Sequence, residues 1–148
     1  MSSSINQTEI FALLKSEIST RQVVGLILVG KTCLYKAVPH VVRHLSSDND
    51  DVRSTAAWAL DQLASPMTVP ALLDALRDPV FSVQSNAAWA LVSIAKATIP
   101  QVVVPDVVEI LREETDEPAG QMAFLVLYHI DDDYAREAIE LYWDNDHQ

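Results

Sequence analysis

Glycine is scarce in this chain, with three residues in 148, Gly25, Gly30 and Gly120. No glycine-rich phosphate loop and no nucleophile elbow is present, and both of those devices need glycine where backbone turns sharply or approaches a ligand. Cysteine occurs once, at Cys33, which excludes an internal disulfide framework. A reducing compartment follows as the expectation, with Cys33 as a small buried hydrophobe. Cations are outnumbered, 10 Lys and Arg against 21 Asp and Glu, for a net charge of −11. Direct nucleic-acid binding is a poor reading of that balance, because gripping phosphates takes Lys and Arg to displace counterions. The longest apolar run, Val23 to Val29, falls far short of the roughly 20 residues that cross a bilayer, so no membrane is expected. The polar start Met1-Ser2-Ser3-Ser4 has neither the basic leader nor the cleavage site of a secreted chain, and the expected location is cytoplasmic.

Apolar residues make up 49% of the chain, ample for a continuous core at this length. The organising feature is a repeated pentapeptide: Ala56-Ala57-Trp58-Ala59-Leu60 returns as Ala87-Ala88-Trp89-Ala90-Leu91, 31 residues on. A period of about 20 to 50 residues marks stacked units, each too small to bury its own apolar face. Apolar spacings of three and four predict helices over Thr8–Ile18, from Ser19 or Thr20 to about Cys33, and over Val38–Leu45. Further helices are predicted over Val52–Ala64, Ala71–Arg77, Phe81–Ala97, Val107–Arg112, Gly120–Ile130 and Tyr134 to about Trp143. Val24 to Val29 is expected to be deeply buried, with Gly25 and Gly30 allowing close packing. The third unit begins at Val104-Pro105, shifted by 35 instead of 31, and the extra residues are assigned to the loop Thr98 to Val103. The expectation is an all-α solenoid filling residues 1–148 as a single domain, with four antiparallel helix pairs and a C-terminal capping helix.

The pattern Val52-Arg53, Ala56-Ala57-x-Ala59-Leu60-x-x-Leu63, then Val69-Pro70-x-Leu72-Leu73-x-x-Leu76-x-Asp78 resembles the HEAT-like repeats first known from phycobilisome lyases. Val83-Gln84, Ala87-Ala88, Ala90-Leu91 and Ile94 repeat it, and the resemblance covers about residues 38 to 130. It implies an α-solenoid whose second helices line a concave face, in a family of scaffolds, inhibitors, toxin-immunity proteins, lyase subunits and a few DNA-repair enzymes. Gln84 stands where the repeat usually carries the arginine that Arg53 supplies, so a ladder of turn aspartates bonding repeat arginines is expected to be incomplete.

At about 100° per residue, Val52, Ala56, Ala59, Leu60 and Leu63 share one arc, and Trp58 falls about 145° from its centre. Trp89 does likewise, so both tryptophans are expected to point away from the core. With Ile27 and Leu125 at matching positions they form a predicted ridge on the concave side, flanked by Ser54, Thr55, Asp61, Gln62, Ser85, Asn86, Ser93, Gln121, Tyr128 and His129. An aromatic centre with a polar surround is how protein-binding hot spots are built, and the candidate partner-binding residues are Trp58, Trp89, Leu125, Thr55, Asp61, Gln62, Asn86, Ser93, Tyr128 and His129. The competing reading is that each tryptophan folds down onto the flanking repeat and closes a gap.

Charge is unevenly placed. Residues 1–47 carry five cations and two acids, whereas residues 48–148 carry five cations and nineteen acids. Clusters at Asp106, Glu109, Glu113, Glu114, Asp116 and Glu117, and at Asp131 to Asp133, Glu137, Glu140, Asp144 and Asp146, would steer a basic ligand to the C-terminal half. His40 and His44 have the i, i+4 spacing of a metal pair, but no third ligand follows, and no metal or cofactor is expected. His129 beside Asp131 to Asp133 reads as a capped helix end before it reads as a general base. The expected function is a non-enzymatic interaction module that binds a basic protein on its concave face. An immunity or inhibitor protein acting on a toxin such as a nuclease is the more specific expectation. A lyase-like subunit acting on a chromophore-bearing protein and a passive assembly scaffold are the alternatives.

Overall fold

In the computed structural model, residues 5–115 and 117–144 are described; Met1 to Ser4, Asp116 and Asp146 lie outside them. The described residues form nine α-helices: α1 (Gln7–Lys15), α2 (Ser19–Thr32), α3 (Val38–His44), α4 (Asp50–Leu63), α5 (Val69–Ala75), α6 (Phe81–Ala97), α7 (Val104–Glu113), α8 (Pro118–Ile130) and α9 (Asp133–Ile139). A wider turn, Glu140–Asp144, closes α9, and short 3-10 turns at Tyr35–Ala37, Pro66–Thr68 and Pro100–Val102 lead into α3, α5 and α7. The long helices α2, α4, α6 and α8 stack side by side as one layer, and α1, α3, α5 and α7 each pack on the long helix that follows. This is the all-α solenoid expected from the period of 31.

Composition explains the layering. The predicted arc of α4, Val52, Ala56, Ala59, Leu60 and Leu63, is buried, as is its counterpart Val83, Ala87, Ala90, Leu91 and Ile94 in α6. Alanines at these contacts let neighbouring helices approach while the leucines fill the space between layers, each contributing about 1.5–3 kcal/mol on burial. In α2 burial is confined to Gly25, Leu26, Val29 and Gly30, with Val24 47% exposed, so the apolar centre of that helix is covered on one side only. α5 and α7 begin two and three residues before the predicted starts, because Val69-Pro70 and Val104-Pro105 form the first turn instead of preceding it. Proline is tolerated there since its missing N–H would have had no helical partner.

A side chain six residues past each turn carbonyl holds three of the repeats together. Gln22 Nε2 donates to Ser16 O at 2.6 Å, Arg53 Nη1 donates to Ser47 O at 2.8 Å, and the Gln84 amide donates to Asp78 O. These positions are spaced by 31, so the N-terminal unit keeps the register too, beyond the span in which the sequence pattern is visible. Arg53 adds bonds to Asp78 Oδ2 at 2.9 Å and to Asp50 at 2.8 Å, which, Asp78 first, hold its guanidinium above its ordinary pKa. Gln84 thus lacks an arginine's ionic bonds but keeps the carbonyl bond. In the fourth unit the equivalent residue is Gly120, where an added Cβ would stand 1.9 Å from Glu114 O. There the turn carbonyl packs directly on the helix backbone.

Helix ends differ from expectation in two places. Cys33 is exposed, correcting its reading as a buried hydrophobe. It is the C-cap of α2 in a left-handed conformation (φ 51°), which Ala64 (φ 48°) and Asp131 (φ 54°) repeat after α4 and α8. α2 starts without a side-chain cap, Ile18 standing where Ser19 or Thr20 was expected to serve, whereas Asn6, Asn49 and Asp132 cap α1, α4 and α9. The end of α6 at Ala97 is as predicted, and at 17 residues that helix is three longer than α4.

Candidate functional site, the exposed face of the long helices

The two tryptophans of the identical pentapeptides have different surroundings. Trp58 is half-buried and leans across the seam onto α2, where a Cβ at Gly30 would stand 2.5 Å from its Cζ3. The register places Asp61 in α4 where Gly30 stands in α2, so the space that receives Trp58 is filled in the next repeat. Trp89 is 40% exposed and turns toward α8, its ring 4.6 Å from that of His129. Folding onto the neighbouring repeat therefore describes Trp58, and pointing outward describes Trp89. Both follow from what the adjacent helix offers, not from the pentapeptide.

Several of the polar candidates are engaged within the stack. Asn86 Nδ2 donates to Ser54 O at 3.0 Å and to Ser54 Oγ at 3.2 Å, and the Ser93 hydroxyl donates to Asp61. These bonds tie α4 to α6. Thr55 donates to Asp51 O one turn back in its own helix, at 2.7 Å. Gln62, Gln121 and Tyr128 are exposed, whereas Ile27, Ser85 and Leu125 are half-buried.

Two half-buried rings missed by the helical-wheel reading, Phe124 and Trp143, adjoin the exposed face. Phe124 stacks on Trp143 with centroids 4.5 Å apart and planes 19° off parallel, and it meets Tyr128 at 5.9 Å. Tyr128 in turn meets His129 edge-on at 5.4 Å. Trp89, His129, Tyr128, Phe124 and Trp143 thus form a row from α6 across α8 to the closing turn. A period search could not find it, because Phe124 and Trp143 have no aromatic counterpart in the other repeats. His129 belongs to this row, whereas Asp131 and Asp133 pair with Arg136 and Asp132 caps α9, so the three aspartates serve helix ends.

Charge pairing follows the same asymmetry as charge itself. Among the described residues the ion pairs are those of Arg53, Arg77, Arg112 and Arg136. Arg77 takes Glu114 from the acidic cluster of the third turn, and Arg112 takes Glu109 and Glu113. Exposed carboxylates outside these pairs include Glu137, Glu140 and Asp144, on α9 and beside Trp143. Lys15, Arg21, Lys31, Lys36 and Arg43 enter none of the pairs. Among the described residues no group of His, Cys, Asp and Glu is arranged to hold a metal ion, and no helix is long and apolar enough to cross a membrane.

Two engineered proteins solved by the Northeast Structural Genomics Consortium share the architecture. One aligns at 25% identity with a TM-score of 0.63, over 93% of this chain and 68% of its own. The other aligns at 25% identity with a TM-score of 0.60, again over 93% of this chain but only 41% of its own, longer length. No curated protein matches the chain. The family model for HEAT repeats matches residues 38–128, the span holding both pentapeptides and three of the four long helices. HEAT repeats generally mediate contacts between proteins, and the fold is typically a non-enzymatic scaffold. On the stacked helix pairs, the period and this match, the chain belongs to the HEAT-repeat family.

Proposed function

We propose that this chain acts as one repeat domain that binds a basic protein through the exposed face of its C-terminal repeats, with Trp89 as the anchor. The observation that carries this reading is an exposed tryptophan at the head of a row of rings, within residues 48–148, which hold nineteen of the 21 acids. Exposed indole on a rigid helix offers large apolar area at small entropic cost, and truncating such an anchor typically weakens binding by about 2 kcal/mol or more. Carboxylates such as Glu137, Glu140 and Asp144 would speed association with a cationic partner and make it sensitive to salt. Gln62, Leu125, Tyr128 and His129 are the flanking contacts in this reading. Trp58, Thr55, Asp61, Asn86 and Ser93 shape the face from within the stack.

The finer reading is an immunity or inhibitor protein that covers a basic toxin such as a nuclease, motivated by the small size, acidity and compact repeat array. The test is to mix the purified protein with a basic protein encoded beside its gene, reading complex formation by size-exclusion chromatography and the activity of that protein. A complex that inhibits, and that W89A weakens, supports the reading. Absence of both complex and inhibition removes the toxin partner, and a complex indifferent to W89A removes the anchor.

A further inference from the structure

At the opposite end of the stack, α1 and α3 border a cleft of about 480 Å³ with no carboxylate in its lining. Its charged groups are Lys15 from α1 and Arg43 from α3, and the imidazoles of His40 and His44 on α3 line it as well. Some donors there are already used. His44 faces two backbone carbonyls, Nδ1 2.6 Å from His40 O and Nε2 3.1 Å from Leu14 O, and Gln22 is bound to Ser16 O. Others are open. Arg43 directs one N–H of Nη2 at His40 Nδ1, 2.5 Å away, and the rest of its fork enters no ion pair. Because a guanidinium only donates, His40 Nδ1 accepts, which leaves the ring neutral with its proton on Nε2 as a further donor. Ser47 Oγ accepts from Asn49 N at 3.1 Å, so its own proton is free to point elsewhere, and Ser46 adds a second hydroxyl.

Cations gathered without a counter-charge repel one another, and the repulsion is relieved when an anion binds between them. The effect is visible on His40. Burial first, then Arg43, Lys15 and His44, holds its pKa below the ordinary value. The groups facing it are Phe11 and Lys15 on α1, with Arg43 and His44 on its own helix. A planar guanidinium fork beside an ammonium and two hydroxyls matches the several acceptor oxygens of a tetrahedral oxyanion.

We propose that this cleft binds a small oxyanion of the phosphate class, held by Arg43 and Lys15 with Ser46, Ser47 and His40 Nε2 as hydrogen-bond donors. The site is independent of the aromatic face at the other end of the chain. The probe is inorganic phosphate, titrated by calorimetry at constant ionic strength against chloride. Saturable one-to-one binding is expected, weakened about tenfold or more in Arg43→Gln, as the loss of a charge-assisted bond implies. Lys15→Gln should weaken it as well without touching the Arg43–His40 bond, whereas Arg21→Gln, outside the cleft, should leave it unchanged. By linkage, phosphate should raise the His40 pKa read from its ring proton shifts, since the anion offsets the cations that depress it. The proposal is overturned if phosphate acts no differently from chloride, if all three variants weaken binding alike, or if a short single-stranded oligonucleotide binds in an Arg43-dependent way and phosphate does not.

Discussion

The indole of Trp58 lies on the backbone of Gly30, 28 residues earlier on the neighbouring helix, so closely that a Cβ at Gly30 would stand 2.5 Å from Cζ3 and 2.9 Å from Cη2. The same offset from Trp89 leads to Asp61, whose side chain accepts from Ser93 instead of yielding space to an indole. One pentapeptide therefore supplies a stacking residue in one repeat and a presented residue in the next.

Gly30→Ala tests the contact from the α2 side. Helix propensity alone would favour alanine by about 1 kcal/mol. The clash should outweigh it, with a net loss of about 1–3 kcal/mol in urea unfolding, as overpacking typically costs. A stabilised G30A variant would show that Trp58 has room to move at no cost.

Asp61→Gly tests it from the other side. Removing the side chain opens on α4 the space that Gly30 opens on α2, and Trp89 should turn onto it and away from His129. The readout is the ring-current shift that Trp89 imposes on the His129 ring protons by NMR, which should shrink. The variant also loses the Ser93 bond and places glycine in a helix, so a stability loss of about 1–2 kcal/mol is expected alongside. An unchanged His129 shift would mean that Asp61 does not decide where Trp89 points.

Arg53 makes two kinds of bond that substitution separates. Arg53→Gln, which copies Gln22 and Gln84, should keep the Ser47 carbonyl bond while losing Asp78 and Asp50. Arg53→Ala loses all three and leaves the half-buried Asp78 carboxylate with fewer donors. Losses of about 1 kcal/mol for Gln and about 2 kcal/mol or more for Ala are expected in chemical denaturation. Equal losses would assign the whole effect to the ion pair and none to the carbonyl bond.

His40 sets a direction of pH dependence. Its folded pKa lies below the ordinary value near 6.5, so between the two values the unfolded chain binds more protons than the folded one. Its contribution to stability is therefore complete above about pH 6.5 and is lost as pH falls through the folded pKa. His40→Gln should flatten that part of the stability curve. Replacing Lys15, one of the cations that depress the pKa, should make that loss smaller and end it at a higher pH, because the folded value then rises toward the ordinary one.

Much of the stack was legible because its determinants are local and periodic. Alanine and leucine at fixed offsets announce the buried arc of each long helix, and Val-Pro pairs announce the start of each short one. The remainder depends on what a neighbouring helix presents. A helical wheel places Trp58 and Trp89 at one angle from their own cores, yet cannot see Gly30 or Asp61 across the seam. Nor does it show whether Asn86 and Ser93 face solvent or bond Ser54 and Asp61. The carbonyl bond of the first repeat was hidden because Gln22 carries it where the recognisable pattern has Arg53. The left-handed caps were hidden because Cys33, Ala64 and Asp131 hold them in place of glycine, the residue that usually marks such a turn.

The most direct measurement of the central claim is acrylamide quenching of two single-tryptophan proteins. One keeps Trp58, with Trp89→Phe and Trp143→Phe; the other keeps Trp89, with Trp58→Phe and Trp143→Phe. Trp89 should show the larger quenching constant and the redder emission, as a side chain presented to solvent on a binding face. Equal constants, or a more accessible Trp58, would contradict the assignment of one tryptophan to the stack and the other to the partner.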